Sequence, residues 1–461
     1  MGLGRIVLVL PGSMPFRMVV GSGILDMLRE KSNRALVVVC PDEKYRNKLP
    51  DGVEWRDLRC PHSPSRQSFF TRVARSLLLR IESLLNITFR GLAYRLNEIS
   101  GFQAHQFKKG MSVERQAREE MAGNFVRKSH GFPCAPSRFL YRLYRAIYYR
   151  LAYIPDRFIK GLFDEIPIDL IVFWHAQNEV YRDYVYCARS LSIPMVAAIG
   201  SWDRASTKGP LMPDVTKILA INQVMRLELM KYHGISESAI AVVGWPQMDT
   251  YTERGSEEEQ YNRKAGLLAQ YGFDESASLV VYAGNAERLG RHESGLVSHI
   301  AKNISAGLFG ENICFFLRPH PQDLRFKQRF SSELKSDGVH WEDASLTSLS
   351  QLKELFLCAD IVISTQGSIS LDAVALDCSV INVAFDGDLE PAHDESVKRA
   401  YEMDHYQPVL NSGGVAIVRN YTELDSALSA YLLDRTLHAG GRAKLRETML
   451  EPFDGRAAER T

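Results

Sequence analysis

The chain has 461 residues and a formal net charge of +1; hydrophobic residues make up 45% and charged residues 24%. These are the values of a soluble globular protein of two or three domains, and they exclude a wholly disordered, collagen-like or polycationic chain. The near-neutral total hides an uneven spread: residues 60–160 hold 18 Lys/Arg against 6 Asp/Glu, so the remainder is net negative.

The N-terminal run IVLVL (6–10) is too short, and lacks the small-residue cleavage site, for a signal peptide. It reads as a first buried strand. ALVVVC (35–40) and VEWRDL (53–58) follow, with a helical run between the first two, and strand–helix–strand at this spacing predicts a parallel sheet. Residues 68–163 then read almost entirely as helix, with Arg among Leu, Phe and Tyr in FFTRVARSLLLRIESLL and RFLYRLYRAIYYRLAYI. Such helices suit an anionic membrane interface or, more plainly, a helical cap with Arg facing water. Strands resume at DLIVFW (169–174), PMVAAIG (194–200), TKILAI (216–221) and AIAVVG (239–244). After the polar stretch TERGSEEEQYN a second series begins: LVVYAG (279–284), ICFFLRPH (313–320), DIVIST (360–365) and SVINVAF (379–385). No run reaches the ~18 apolar residues that a membrane span needs. The seven scattered cysteines have no CxxC spacing and read as small buried hydrophobes of a reducing compartment.

The expected fold class is therefore α/β, two facing Rossmann-like domains with a long helical insertion in the first. Its expected boundaries are 1–250 for the acceptor domain (insertion about 62–165), 251–275 for a linker, 276–435 for the nucleotide-donor domain and 436–461 for a C-terminal helix and tail. Open parallel sheets take ligands beyond the carboxyl ends of their strands, and the distinctive polar residues cluster there. Arg318 and His320 of RPHP offer donors to a phosphate, or form an ordinary turn. STQGSIS supplies Ser364, Thr365, Gly367, Ser368 and Ser370 at a strand-to-helix turn, where small hydroxyl residues suit an anion but also serve as plain caps. Asp372 follows in the helix, a candidate for ribose hydroxyls. In the first half, AAIGSWDRASTKG brings Asp203 and Lys208, and FWHAQNE brings His175 and Glu179. VVGWPQMD supplies Gly244 and AGN supplies Asn285. His175 also reads as a core histidine, and DGD (386–388) as a loop.

The order WD…STKG, VVGWPQMD, RPHP, STQGSISLDAVALDCSVINVAF and HYQPVLNSGGVAIV resembles the GT-B nucleotide-sugar transferases. The resemblance is closest to the branch of CDP-glycerol glycerophosphotransferases and bacterial surface-polysaccharide transferases, and it covers roughly 170–435. It implies a donor-binding second domain, with Arg318, His320, Ser364, Thr365, Gly367, Ser368, Ser370, Asp372, Asn285, Gly244 and Lys208 on the donor side. It also implies a first domain that supplies the acceptor site and the base. Asp203 is the favoured base, ahead of His175 and Glu179. Many members place a Glu on the ribose where this chain has Asp372. The HP pair before a Ser/Thr-rich helix start implies a cytidine-linked donor.

The expected activity is metal-independent transfer of a sugar from a nucleotide donor to a growing surface glycan. No cofactor is expected, since helix termini and basic side chains can stabilise a leaving phosphate electrostatically. The expected partners are the nucleotide-sugar, a glycan or lipid-linked glycan acceptor and an anionic membrane surface, not nucleic acid. The expected place is the cytoplasm, with a peripheral position at the membrane's inner face as an extension. Polyol-phosphate transfer of the CDP-glycerol type, a UDP-sugar 2-epimerase-type enzyme and a non-enzymatic binding protein are the alternatives.

Overall fold

The computed structural model describes residues 4–32, 34–40, 43–58, 157–175, 181–207, 215–233, 235–286, 290, 292–321, 323, 325–335, 338–342, 349–391 and 396–461. The basic helical insertion lies outside these residues, except for its last helix, Arg157–Glu165. The chain divides into two compact units, Met1–Pro246 with Ala458–Thr461, and Gln247–Ala457.

The first unit is built on a seven-stranded sheet. Its strands are β1 (Arg5–Val9), β2 (Ala35–Cys40), β3 (Glu54–Asp57), β4 (Ile168–Trp174), β5 (Met195–Ala198), β6 (Lys217–Ala220) and β7 (Ile240–Val242). They run parallel in the order β3-β2-β1-β4-β5-β6-β7. Near-continuous apolar strands are what a sheet covered on both faces requires. Successive side chains point to opposite faces, and the cores divide accordingly: Ile6, Leu8, Leu36 and Val38 enter one cluster, Val7, Val9, Val37 and Val39 the other. Burying each such side chain stabilises the fold by about 1.5–3 kcal/mol before the entropy of ordering the chain is counted.

The second unit has six parallel strands: β8 (Ser278–Ala283), β9 (Ile313–Arg318), β10 (Val339–Trp341), β11 (Ile361–Ser364), β12 (Ser379–Val383) and β13 (Ala416–Val418). Their order is β10-β9-β8-β11-β12-β13. Strand order reverses direction between β1 and β4 in the first sheet and between β8 and β11 in the second. Each reversal is a topological switch point, where a parallel sheet opens a crevice for ligands.

Two sequence expectations change. Residues 251–275 are not a linker: Glu257–Gln270 is a helix of the second unit. Its acidic start is a capping box, in which Ser256 Oγ accepts from the Glu259 N–H at 3.2 Å and the Ser256 N–H donates to Glu259 Oε2 at 2.7 Å. Three glutamates in the first turn also suit the helix dipole. Nor are residues 436–461 a free tail. Ala439–Met449 is a helix of the second unit, while Ala458–Thr461 returns to the first. There Ala458 joins the core beside Ile6 and Val243, and Arg460 Nε donates to the Val243 carbonyl at 2.8 Å.

Candidate active site

In the second unit, three neighbouring strands end together at the switch point. Arg318 closes β9, Asn285 follows β8 and Thr365 follows β11. The Asn285 amide bridges two of these ends: its Nδ2 donates to Thr365 Oγ1 at 2.5 Å and to the Gln366 carbonyl at 3.1 Å. Ser364 Oγ donates across the same pair of strands to the Ala283 carbonyl at 2.9 Å. The Tyr401 hydroxyl donates to the Thr365 carbonyl and, at 3.0 Å, to that of Val383. The turn that follows passes Gly367, whose φ of 122° lies where an L side chain is strained. It leads to Ser368 at the N-cap of the short helix Ile369–Ala375, where Ser368 makes no side-chain cap. Ser370 Oγ instead donates to Asn382 Oδ1 at 2.8 Å, and Asn382 Nδ2 donates to the Tyr406 hydroxyl at 2.7 Å.

The loop beyond β8 rests on a buried ionic network that sequence patterns did not reveal. Glu293 is 1% exposed and opens the helix Glu293–Ser305. Its two carboxylate oxygens each accept the Asn285 N–H at 3.0 Å, and Oε1 also accepts from Thr365 Oγ1 at 3.3 Å. Arg329 reaches Glu293 at 3.4 Å and Asp323 at 2.6 Å, and donates to the Asn285 carbonyl at 3.1 Å. Burial pushes the Glu293 carboxyl up to about 7, with Arg329 and these hydrogen bonds pulling the other way. Gly284 and Gly290 lie close to this carboxylate; a β-carbon at Gly290 would come within 2.2 Å of Glu293 Oε2.

Arg318 is buried, with Nε 3.2 Å from Glu342 Oε1. Burial lowers its pKa, while Glu342 and Asp372 act to hold its charge. Asp372, a ribose candidate in the sequence, is buried and accepts a hydrogen bond from the Tyr251 hydroxyl at 2.9 Å. Burial raises its carboxyl to about 6, opposed by that bond and by Arg318. Here it serves as a counter-charge under Arg318. His320 is half-buried two residues beyond β9, and its carbonyl accepts the Asp323 N–H at 2.9 Å. Asp386 of the DGD loop has its carboxylate occupied by Ser396 Oγ at 2.5 Å and the Val397 N–H at 2.8 Å.

In the first unit, His175 directly follows β4 and Asp203 lies in the turn after β5. The two are electrostatically coupled, together with Arg204. Asp203 is half-buried and its Oδ1 accepts from Ser201 Oγ at 2.5 Å. His175 adopts a left-handed backbone, φ 65°, and its Nδ1 accepts the Gly200 N–H at 3.3 Å. Burial first, and Arg204 second, lower its pKa to about 3, so the ring is neutral. A neutral imidazole whose Nδ1 accepts carries its proton on Nε2. Gly244, with φ 92°, lies in the first unit after β7, whereas the cluster around Arg318 is built from second-unit residues. Glu179 and Lys208 lie outside the described residues.

The family model of CDP-glycerol:poly(glycerophosphate) glycerophosphotransferase matches residues 206–461, more than half of the chain. The chain belongs to this family. This glycerophosphotransferase-family transferase also shares its two-domain GT-B fold with distant solved structures. The S. aureus MnaA–UDP co-structure matches with a TM-score of 0.52 at 9% identity, covering 99% of this chain and 94% of that one. The wall teichoic acid polymerase TagF matches with 0.50 at 11%, covering 99% and 86%. A glycosyltransferase from Rickettsia africae matches with 0.50 at 9%, covering 99% and 97%. At these identities the likeness concerns the fold alone. No curated protein sequence matches the chain. The family sets aside the sugar transfer expected from the sequence in favour of its alternative, a polyol-phosphate transferase of the CDP-glycerol type. Among the described residues no helix is long and apolar enough to cross a membrane.

Proposed function

We propose that the protein transfers a polyol phosphate from a CDP-activated donor to a hydroxyl of a growing surface polymer. The supporting observation is the convergence of Arg318, Asn285 and the 364–368 turn at the switch point of the second sheet, in a chain of this family. An acceptor hydroxyl oxygen attacks the phosphorus that bears the polyol and passes its proton to a base. The bond from that phosphorus to the bridging oxygen breaks, and CMP leaves with the electron pair. The second unit's contribution is to bind the diphosphate: Arg318 as a guanidinium fork, His320 beside it, and Ser364, Thr365, Gly367 and Ser368 as the turn that lies against it. Asp372 and Glu342 hold Arg318 in place. On the acceptor side Asp203 takes the proton, its carboxylate oriented by Ser201.

Incubation of the protein with CDP-glycerol and a glycerol phosphate oligomer should release CMP and lengthen the oligomer. Transfer from sugar nucleotides with no CMP release from CDP-glycerol would return the reading to sugar transfer.

A further inference from the structure

Two buried N–H groups meet at the carboxyl edge of the first sheet with nothing to accept them. Trp174 is the last residue of β4 and His175 the next. Gly200, after β5, touches both rings: a β-carbon there would lie 2.4 Å from Trp174 Nε1 and 3.0 Å from His175 Cε1. The indole nitrogen can only donate. The imidazole is held by the Gly200 N–H on Nδ1, so its Nε2 is a donor too. Both Trp174 Nε1 and His175 Nε2 are buried without a hydrogen-bond partner among the described residues, and His175 is 2% exposed. A buried donor left unpaired costs about 1–3 kcal/mol, and native proteins leave few of them without a reason. The charged and titratable groups that act on the imidazole are Arg204 and Asp203; Tyr181, also under the influence of Arg204, packs its ring on Phe173 and donates its hydroxyl to the Trp174 carbonyl. The place lies beside the β1–β4 switch point.

Resting on the acceptor side of the proposed transferase, we propose that His175 and Trp174 form a neutral donor pair that hydrogen-bonds an anionic phosphate oxygen of the substrate, with His175 a donor and not the base. A neutral donor suits this task. It pairs with a phosphate oxygen without a counter-charge that would hold the polymer too firmly for release, and it leaves the proton transfer to Asp203. Two substrates carry such an oxygen, the phosphodiester of the acceptor polymer and the diphosphate of the donor.

The test has two readouts. The first needs no activity. In protein labelled with nitrogen-15 histidine, the His175 ring should show the Nε2–H tautomer and stay neutral from pH 5 to pH 8, and its Nε2–H signal should move on addition of glycerol 3-phosphate. An Nδ1–H tautomer, a titration near neutrality, or a signal indifferent to the phosphate ester would overturn the proposal, whether or not CDP-glycerol is the donor. The second compares His175→Ala with His175→Gln, which keeps an N–H donor at a similar reach. With CDP-glycerol and the oligomer, His175→Ala should lower kcat/KM by ~10–100-fold, largely through KM, with substantial recovery in His175→Gln and no change in the shape of the pH profile. A raised KM for the oligomer assigns the oxygen to the acceptor, and one for CDP-glycerol assigns it to the donor. Loss of the acidic limb of the profile would make His175 the base, and equal kinetics in both variants and the parent would leave the pair structural; either sinks the proposal. Should neither donor support transfer while the ring still answers to glycerol 3-phosphate, the reaction assigned above fails and the donor pair stands.

Discussion

Arg318 gives the most direct handle on the donor side. Its guanidinium is buried against Glu342 and near Asp372, so Arg318→Ala removes a phosphate contact and also strands two carboxylates, which costs stability. The two effects separate in a binding comparison. Calorimetry should show CDP binding weakened by ~10–100-fold, with cytidine, which has no phosphate, nearly unaffected. Arg318→Lys should not restore CDP binding, since a point charge lacks the planar fork. Equal losses for CDP and cytidine would show that Arg318 does not touch phosphate. Glu293 yields a pH prediction. Its folded-state pKa stands near 7, above the usual 4.5. The folded protein therefore binds the proton more tightly than the unfolded chain. The stability this contributes is complete below about pH 4.5 and is lost as pH rises through 7. Glu293→Gln cannot ionise, so its midpoint relative to the parent should improve steadily between pH 5 and pH 8 in thermal melts. A constant or widening deficit over that range would contradict the buried-carboxyl account. The candidate residues Asn285, Thr365, Arg318 and Asp372 were legible in the sequence as polar groups just past strands. Their partners Glu293, Arg329 and Tyr251 were not: a helix-opening Glu looks like any dipole-favouring residue, and its pairing with Arg329 exists only once two crossovers are folded.

At the scale of elements, the helix Glu257–Gln270 carries its own test. Ser256→Ala removes one half of the capping box and should lower stability by about 1 kcal/mol in denaturant melts. No change would mean that the segment does not depend on its cap. The same segment shows why elements were read unevenly. TERGSEEEQYN is polar and acidic, which suggests a linker by composition, while the Ser–Glu spacing of the capping box is a two-residue signal inside it. Eleven strands were readable because each is a run of β-branched and aromatic residues buried on both faces. β10 and β13 were not, because edge strands of three residues such as VHW carry too little pattern to separate them from loop. His175 is the instructive case. Its position after a strand was plain, but the tautomer that decides its chemistry depends on the backbone N–H of Gly200, twenty-five residues on.

For the whole molecule, the crossing of the chain between units is the feature that composition could not announce. Ala458→Asp places a carboxylate in the first unit's core beside Ile6 and Val243, and should destabilise that unit by about 3 kcal/mol or more. Hydrogen exchange should speed up in β1, β2 and β7, with β8 to β13 spared until global unfolding. Uniform acceleration in both sheets would show that the two units unfold as one. The crossing also bears on synthesis. Domains emerging from a ribosome generally fold in order of appearance, but here the first unit's core holds a residue that is made last. Roughly 200 residues separate Pro246 from Ala458, about 10–40 s of elongation. Throughout that interval the nascent first sheet waits with part of its apolar floor uncovered, so release of the chain, and not emergence of its own strands, is the event that completes it.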